Sequence, residues 1–229
     1  MSRLTREQWD GDSLYIDPIK DRVYRQIAGG LAWPAPPAPG FMVVVAEEGR
    51  LELESGQRIL WVLAEQEALD PAAMYRYYRE MSGEFLLREW YGDTANRAMM
   101  HLFRGQQRQV QGETQVPLVV LGAPYHDNPQ ALLFYVQTIQ DLVKSSQKLL
   151  FFGENSSLPG NFLALSPEEL TGKAADYPPV AALGYAVAAL RIYGPAPAMA
   201  PEYRERESWS PFGGRDQGLG IRDQGKTKN

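Results

Sequence analysis

Between residues 41 and 46 the chain reads Phe-Met-Val-Val-Val-Ala, an unbroken apolar run rich in β-branched side chains. That is the pattern of a strand covered on both faces. It ends at Glu47-Glu48-Gly49, and residues 58–67 predict a second strand after the turn at Ser55-Gly56, so the two open a meander. Asp70-Pro71 starts a helix, an N-cap residue followed by proline at the first helical position. Met74, Tyr77, Tyr78 and Met81 then recur at helical spacing up to Gly83. Residues 84–91 predict the next strand, which stops at Gly92-Asp93-Thr94, and residues 95–104 predict a helix able to bury Met99, Met100, Leu102 and Phe103. Residues 106–115 are polar and read as a loop.

The second half continues the alternation. Residues 117–121 form a short apolar strand, and Asp127-Asn128-Pro129 caps a helix whose Leu132, Leu133, Val136, Ile139 and Val143 share one face. A strand at residues 149–152 and a loop at residues 153–173 lead to Asp176-Tyr177-Pro178-Pro179. There an alanine-rich helix opens and runs through Arg191, its small side chains suited to close packing on a sheet. The order is that of a mixed α/β sheet flanked by helices, expected over residues 41–193. Residues 1–40 are expected to be an N-terminal extension ending in the proline-rich lead-in Trp33 to Gly40, which cannot be helix or inner strand. Residues 194–229 turn to proline, glycine and charge and are expected to be a mobile tail; Arg-Asp-Gln-Gly occurs there at 215–218 and again at 222–225.

Composition narrows the chemistry. With no cysteine among 229 residues and histidine only at 101 and 126, disulfide scaffolds, thiol nucleophiles and the usual zinc sites are excluded. A metal, if used, is a hard cation on oxygen ligands. A net charge of -5 argues against coating nucleic acid through a general basic surface. No apolar run approaches the roughly 20 residues of a membrane span, and the opening residues lack the apolar stretch of a signal peptide, so a cytoplasmic location without membrane partners is expected. There is no Gly-x-Ser-x-Gly elbow and no phosphate-cradling Gly-x-x-x-x-Gly-Lys-[Ser/Thr] loop, so neither serine hydrolysis nor ATP hydrolysis is expected.

Three acidic sites fall at strand ends or helix starts, where α/β folds place their chemistry. These are Glu47-Glu48, Asp93 and Asp176. Separated carboxylates that converge can hold two cations about 4 Å apart, which activate water against a phosphodiester. Each acid also has an ordinary reading: Asp93 and Asp176 as helix caps, Glu47 and Glu48 as a solvated turn. His126 beside Asp127, the Tyr75 to Arg79 cluster, and Arg97, Arg104 and Arg108 are weaker candidates for substrate or DNA-backbone contact. His101 reads as a core or boundary residue.

Residues 58–78, the segment Glu89-Trp90-Tyr91-Gly92-Asp93-Thr94, and the closing strand and alanine-rich helix resemble, in order and spacing, the nuclease domain of phage large terminase subunits, which is ribonuclease H-like. The resemblance implies a Mg2+- or Mn2+-dependent endonuclease acting on double-stranded DNA beside other phage packaging proteins. It places Asp93 at the family's second acidic position and Asp176 at its third. The first, normally Asp at the end of the opening strand, falls on Glu47 here, with Glu48 and Asp17 as rivals. Strand alternation allows only one of Glu47 and Glu48 to serve. The alternative is a non-catalytic ribonuclease H-like binding or assembly module of a prophage, in which these acids are caps.

Overall fold

The computed structural model describes residues 2–9, 12–34, 37–49, 59–87, 89–93, 96–109, 119–122, 137, 139–141, 143, 144, 150–160 and 177–190. The strands are β1 (Thr5–Trp9), β2 (Asp12–Asp17), β3 (Arg22–Ala32), β4 (Gly40–Glu48), β5 (Leu60–Ala68), β6 (Glu89–Gly92), β7 (Val119–Gly122) and β8 (Leu150–Phe151). The long helices are α1 (Pro71–Phe85), α2 (Arg97–Gln109) and α3 (Pro178–Ala189). All eight strands belong to one mixed sheet. β1 to β5 are joined antiparallel in sequence order, β8 pairs parallel with β5, β6 pairs parallel with β3, and β7 pairs parallel with β6. No described helix is long and apolar enough to cross a membrane.

The central strands are buried on both faces, as the run at 41–46 requires. Alternation sends Phe41, Val43 and Val45 of β4 into one cluster with α3, and Met42, Val44 and Ala46 into the other with α1. Helix α3 is buried continuously from Val180 to Ala188, so it is apolar all round rather than amphipathic. Helix α1 buries Met74, Tyr75, Tyr78, Met81, Ser82 and Phe85, and its N-terminus is capped by Asp70, whose Oδ1 accepts from the Ala73 amide at 2.8 Å.

Several boundaries differ from expectation. Residues 1–40 hold β1, β2 and β3, so the strand that opens the central meander is β3 and not the run at 41–46. β3 carries Ala28-Gly29-Gly30, poor strand formers on their own, and becomes a strand because its neighbours close on it from both sides. A Cβ on Gly29 would collide with the Trp90 ring and one on Gly30 with the Ala182 backbone. Helix α1 continues through Gly83 and ends at Leu86, held in the left-handed region at φ 58, so the strand expected from residue 84 begins only at Glu89. Helix α2 extends to Gln109, into the stretch expected as loop. The expected helix after Asp127 is described only at residues 137, 139–141, 143 and 144, which are helical. Met1–Gly194 forms one compact unit, and residues 195–229 lie outside the described residues.

Candidate functional site

Asp93 follows the last residue of β6, where Gly92 is level with Leu31 of β3. Its backbone carbonyl accepts from Trp33 Nε1. The cap of α2 is supplied by Asn96, whose Oδ1 accepts from the Met99 amide at 3.2 Å while its carbonyl accepts from Met100, so Asp93 does not hold the capping place expected of it. The Asp93 charge acts instead on Tyr185 of α3. Burial first, and this neighbouring negative charge second, push the Tyr185 hydroxyl up to about 12. Asp93, Trp33 and Tyr185 therefore gather at the end where β3 and β6 finish.

Glu47 lies elsewhere. It is the buried penultimate residue of β4, level with Gln26 on one side and Leu60 on the other. Gln26 and Leu31 are five positions apart on β3, about 16 Å at roughly 3.3 Å per residue. Carboxylates set that far apart cannot share a cation or a pair of cations about 4 Å apart. This corrects the grouping of Glu47 with Asp93, and its cause is the identity of the opening strand. With β3 opening the meander, β4 runs back, and its end points away from the end of β6.

The rivals for the first acidic position have structural partners. Glu48 accepts from Trp61 Nε1 at 2.8 Å, and Arg22 lies 3.3 Å from the centre of the Trp61 ring, whose stacking partner is Phe151. Asp17 is fully buried at the end of β2. Its Oδ2 takes a salt bridge from Arg3 at 2.8 Å, and its Oδ1 accepts from the amides of Ile19 and Lys20, closing the turn to β3. Asp176 and His126 lie outside the described residues. Among the described residues no group of three or more His, Asp or Glu side chains could hold a metal ion. Of the three expected ligands, the two that are described, Glu47 and Asp93, are therefore not brought together.

The basic and aromatic candidates also settle into structure. Tyr75 and Tyr78 are buried against Phe103, and Tyr78 packs on Trp90, so neither offers a ring for base stacking. Arg76 covers Tyr77 at 5.1 Å, and Arg97 is exposed. His101 is exposed on α2 and not a core or boundary residue, because the buried face of that helix is the one carrying Phe103. Of Arg104 and Arg108 only the helical backbone is described.

A cleft of about 690 Å3 opens around the N-terminal half of β3, lined by Arg6, Arg25, Gln26, Glu47, Glu89 and Tyr91 together with the last residues of α3. Apart from Glu47, the sequence marks none of these as a candidate. Only the fork between β2 and β6, which no local pattern announces, brings them together. Family models, curated proteins and solved structures yield no match to this chain.

Proposed function

We propose that the chain is a binding or assembly module of ribonuclease H-like architecture, without two-cation nuclease chemistry. The fold reading is supported by a mixed sheet in which an antiparallel meander, β3 to β5, is continued on the other side of β3 by the parallel strands β6 and β7, with helices packed on both faces. The observation that carries the functional reading is the register of β3 and β4. It sets Glu47 at the opposite end of the sheet from Asp93, and β3, whose end is where the family has its first acid, runs Arg22–Ala32 without any carboxylate. The partners of such a module are proteins, and the terminase resemblance suggests packaging proteins among them.

A second reading is the Mg2+- or Mn2+-dependent endonuclease acting on double-stranded DNA. One observation favours it: Asp93 stands at a strand end beside Tyr185, while the cap of α2 is supplied by Asn96. Incubating supercoiled plasmid with Mn2+ or Mg2+ and either the wild type or Asp93→Ala separates the two. Intact plasmid with both proteins is expected. Nicking by the wild type that Asp93→Ala abolishes would replace the module reading with the nuclease.

A further inference from the structure

The cleft lies where the sheet divides. β2 pairs with β3 only as far as Tyr24, and a register shift follows at the next residue. Ser13 and Leu14 of β2 continue pairing with β1, so β2 peels away from β3. β6 joins the same edge of β3 only at Gly29. In between, Gln26, Ile27 and Ala28 have β4 as their one strand neighbour among the described residues, opposite Glu47, Ala46 and Val45. Along an antiparallel strand, successive residues turn their N–H and C=O groups alternately to one neighbour and the other. At least one of three consecutive residues therefore presents its backbone pair to the fork. Gln26 is exposed although it belongs to a central strand. A gap of this kind is a short length of sheet edge set inside a cleft whose volume falls in the range of ligand sites, roughly 300–1,000 Å3.

We propose that this fork captures an extended peptide segment of a partner protein by strand addition to β3, with a lysine or arginine of that segment seated against Glu47 and Glu89. Strand addition supplies the main-chain hydrogen bonds, and alternate side chains supply selectivity. The choice of a cationic side chain follows from the faces. Glu47 alternates with Ala46 and Glu89 with Trp90, both of which point into the α1 cluster, so the two glutamates share the α3 face. They meet there the C-terminal end of α3, Ala189 and Leu190, where the helix dipole adds negative potential. Arg6 and Arg25 line the same cleft and balance the two carboxylates, so the preference for a cationic side chain rests on the α3 face that the glutamates share with the helix C-terminus, and the net charge of -5 makes a nucleic acid the poorer fit.

The proposal deepens the binding-module reading and rests on it, but the two fail separately. Asp93-dependent plasmid cleavage would remove that reading while leaving peptide capture to be judged by its own assay. The test is selection of a displayed random dodecapeptide library on the immobilised full chain, followed by fluorescence polarisation of the enriched peptides, labelled with fluorescein. Enriched peptides are expected to alternate β-branched residues with lysine or arginine. They should lose at least about tenfold in affinity on Glu89→Lys, a substitution at an exposed side chain. Hydrogen exchange is expected to slow at one or more of the Gln26, Ile27 and Ala28 amides when peptide is bound. No enrichment above an unrelated protein, equal binding by Glu89→Lys, or unchanged exchange at those three amides would each overturn the proposal. Binding of a labelled single-stranded oligonucleotide that Glu89→Lys strengthens and the selected peptides fail to displace would assign the cleft to nucleic acid instead.

Discussion

The carbonyl oxygen of Ala182 occupies the space that a Cβ on Gly30 would fill, so α3 rests directly on the backbone of β3. Both partners are rigid: one is main chain in a central strand, the other main chain in a helix buried along its length. Gly30→Ala is expected to destabilise the fold by about 3 kcal/mol or more, at the upper end of overpacking effects. Gly83 gives the contrast. It lies in α1 with open space around its Cβ position, so Gly83→Ala should stabilise by up to about 1 kcal/mol through helix propensity. Urea denaturation of the two variants checks both signs, and a neutral Gly30→Ala would mean that α3 does not sit where the sheet places it.

On the other face, Trp90 covers Gly29 and donates its Nε1–H to Ser82 Oγ at 2.8 Å, a buried hydrogen bond between β6 and α1. Ser82→Ala leaves that donor unsatisfied and is expected to cost about 1–3 kcal/mol. Trp90→Phe together with Ser82→Ala removes both polar groups, so the loss from the double variant should be smaller than the sum of the two single losses. A double-mutant cycle in urea measures the difference. Strict additivity would show that the bond contributes nothing.

How much of this was legible beforehand depends on which signal each element carries. The β-branched run at 41–46, the Asp70-Pro71 helix start and the alanine-rich last helix declared themselves, because burial on both faces, capping and close packing each leave a local pattern. β3 did not. Tyr24, Arg25 and Gln26 interrupt its apolar character, and Ala28-Gly29-Gly30 looks like loop until Trp90 and α3 are present to require small residues there. Because β3 and not the run at 41–46 opens the meander, Glu47 falls at the other end of the sheet from the one the local pattern implies. Asp93 was placed correctly at a strand end, but its partner Tyr185 lies 92 positions on, a distance no spacing rule spans. The fork that creates the cleft arises from two strands sharing one edge of β3, a property of topology alone.

Asp17 ties the N-terminal strands to the rest of the sheet through one carboxylate that serves Arg3 and two turn amides. Asp17→Ala removes both acceptor oxygens from a fully buried position, so the Ile19 and Lys20 amides and Arg3 lose this partner, and Arg3 is only partly able to reach water. The expected cost is about 2–4 kcal/mol, at the lower side of buried-pair disruption because Arg3 is partly exposed. Asp17→Asn keeps an oxygen for the Ile19 and Lys20 amides and loses only the charge, so it should cost less. Thermal melts rank the two. An Asn variant as damaging as Ala would place the energy in the ion pair and not in the turn.

Tyr185 makes stability depend on alkaline pH. Folding raises its pKa from the ordinary 10.0 to about 12, by burial and then by the Asp93 charge, so the folded chain keeps a proton that the unfolded chain has lost. That contribution is fully present below pH 10 and is lost as pH rises toward 12, at about 1.4 kcal/mol for each pH unit within the window. Tyr24, Tyr75 and Tyr78 are also raised by burial, so the wild type loses stability there for several reasons at once. The Tyr185 share is isolated by the stability gap between wild type and Tyr185→Phe, which should move in favour of the phenylalanine variant by roughly 1.4 kcal/mol between about pH 9 and pH 11. Asp93→Asn should lower the Tyr185 midpoint in an ultraviolet titration, because it removes the second of the two causes. A gap that stays constant across the window would mean that Tyr185 is neither buried nor close to Asp93, and would undo the electrostatic link between Asp93 and α3.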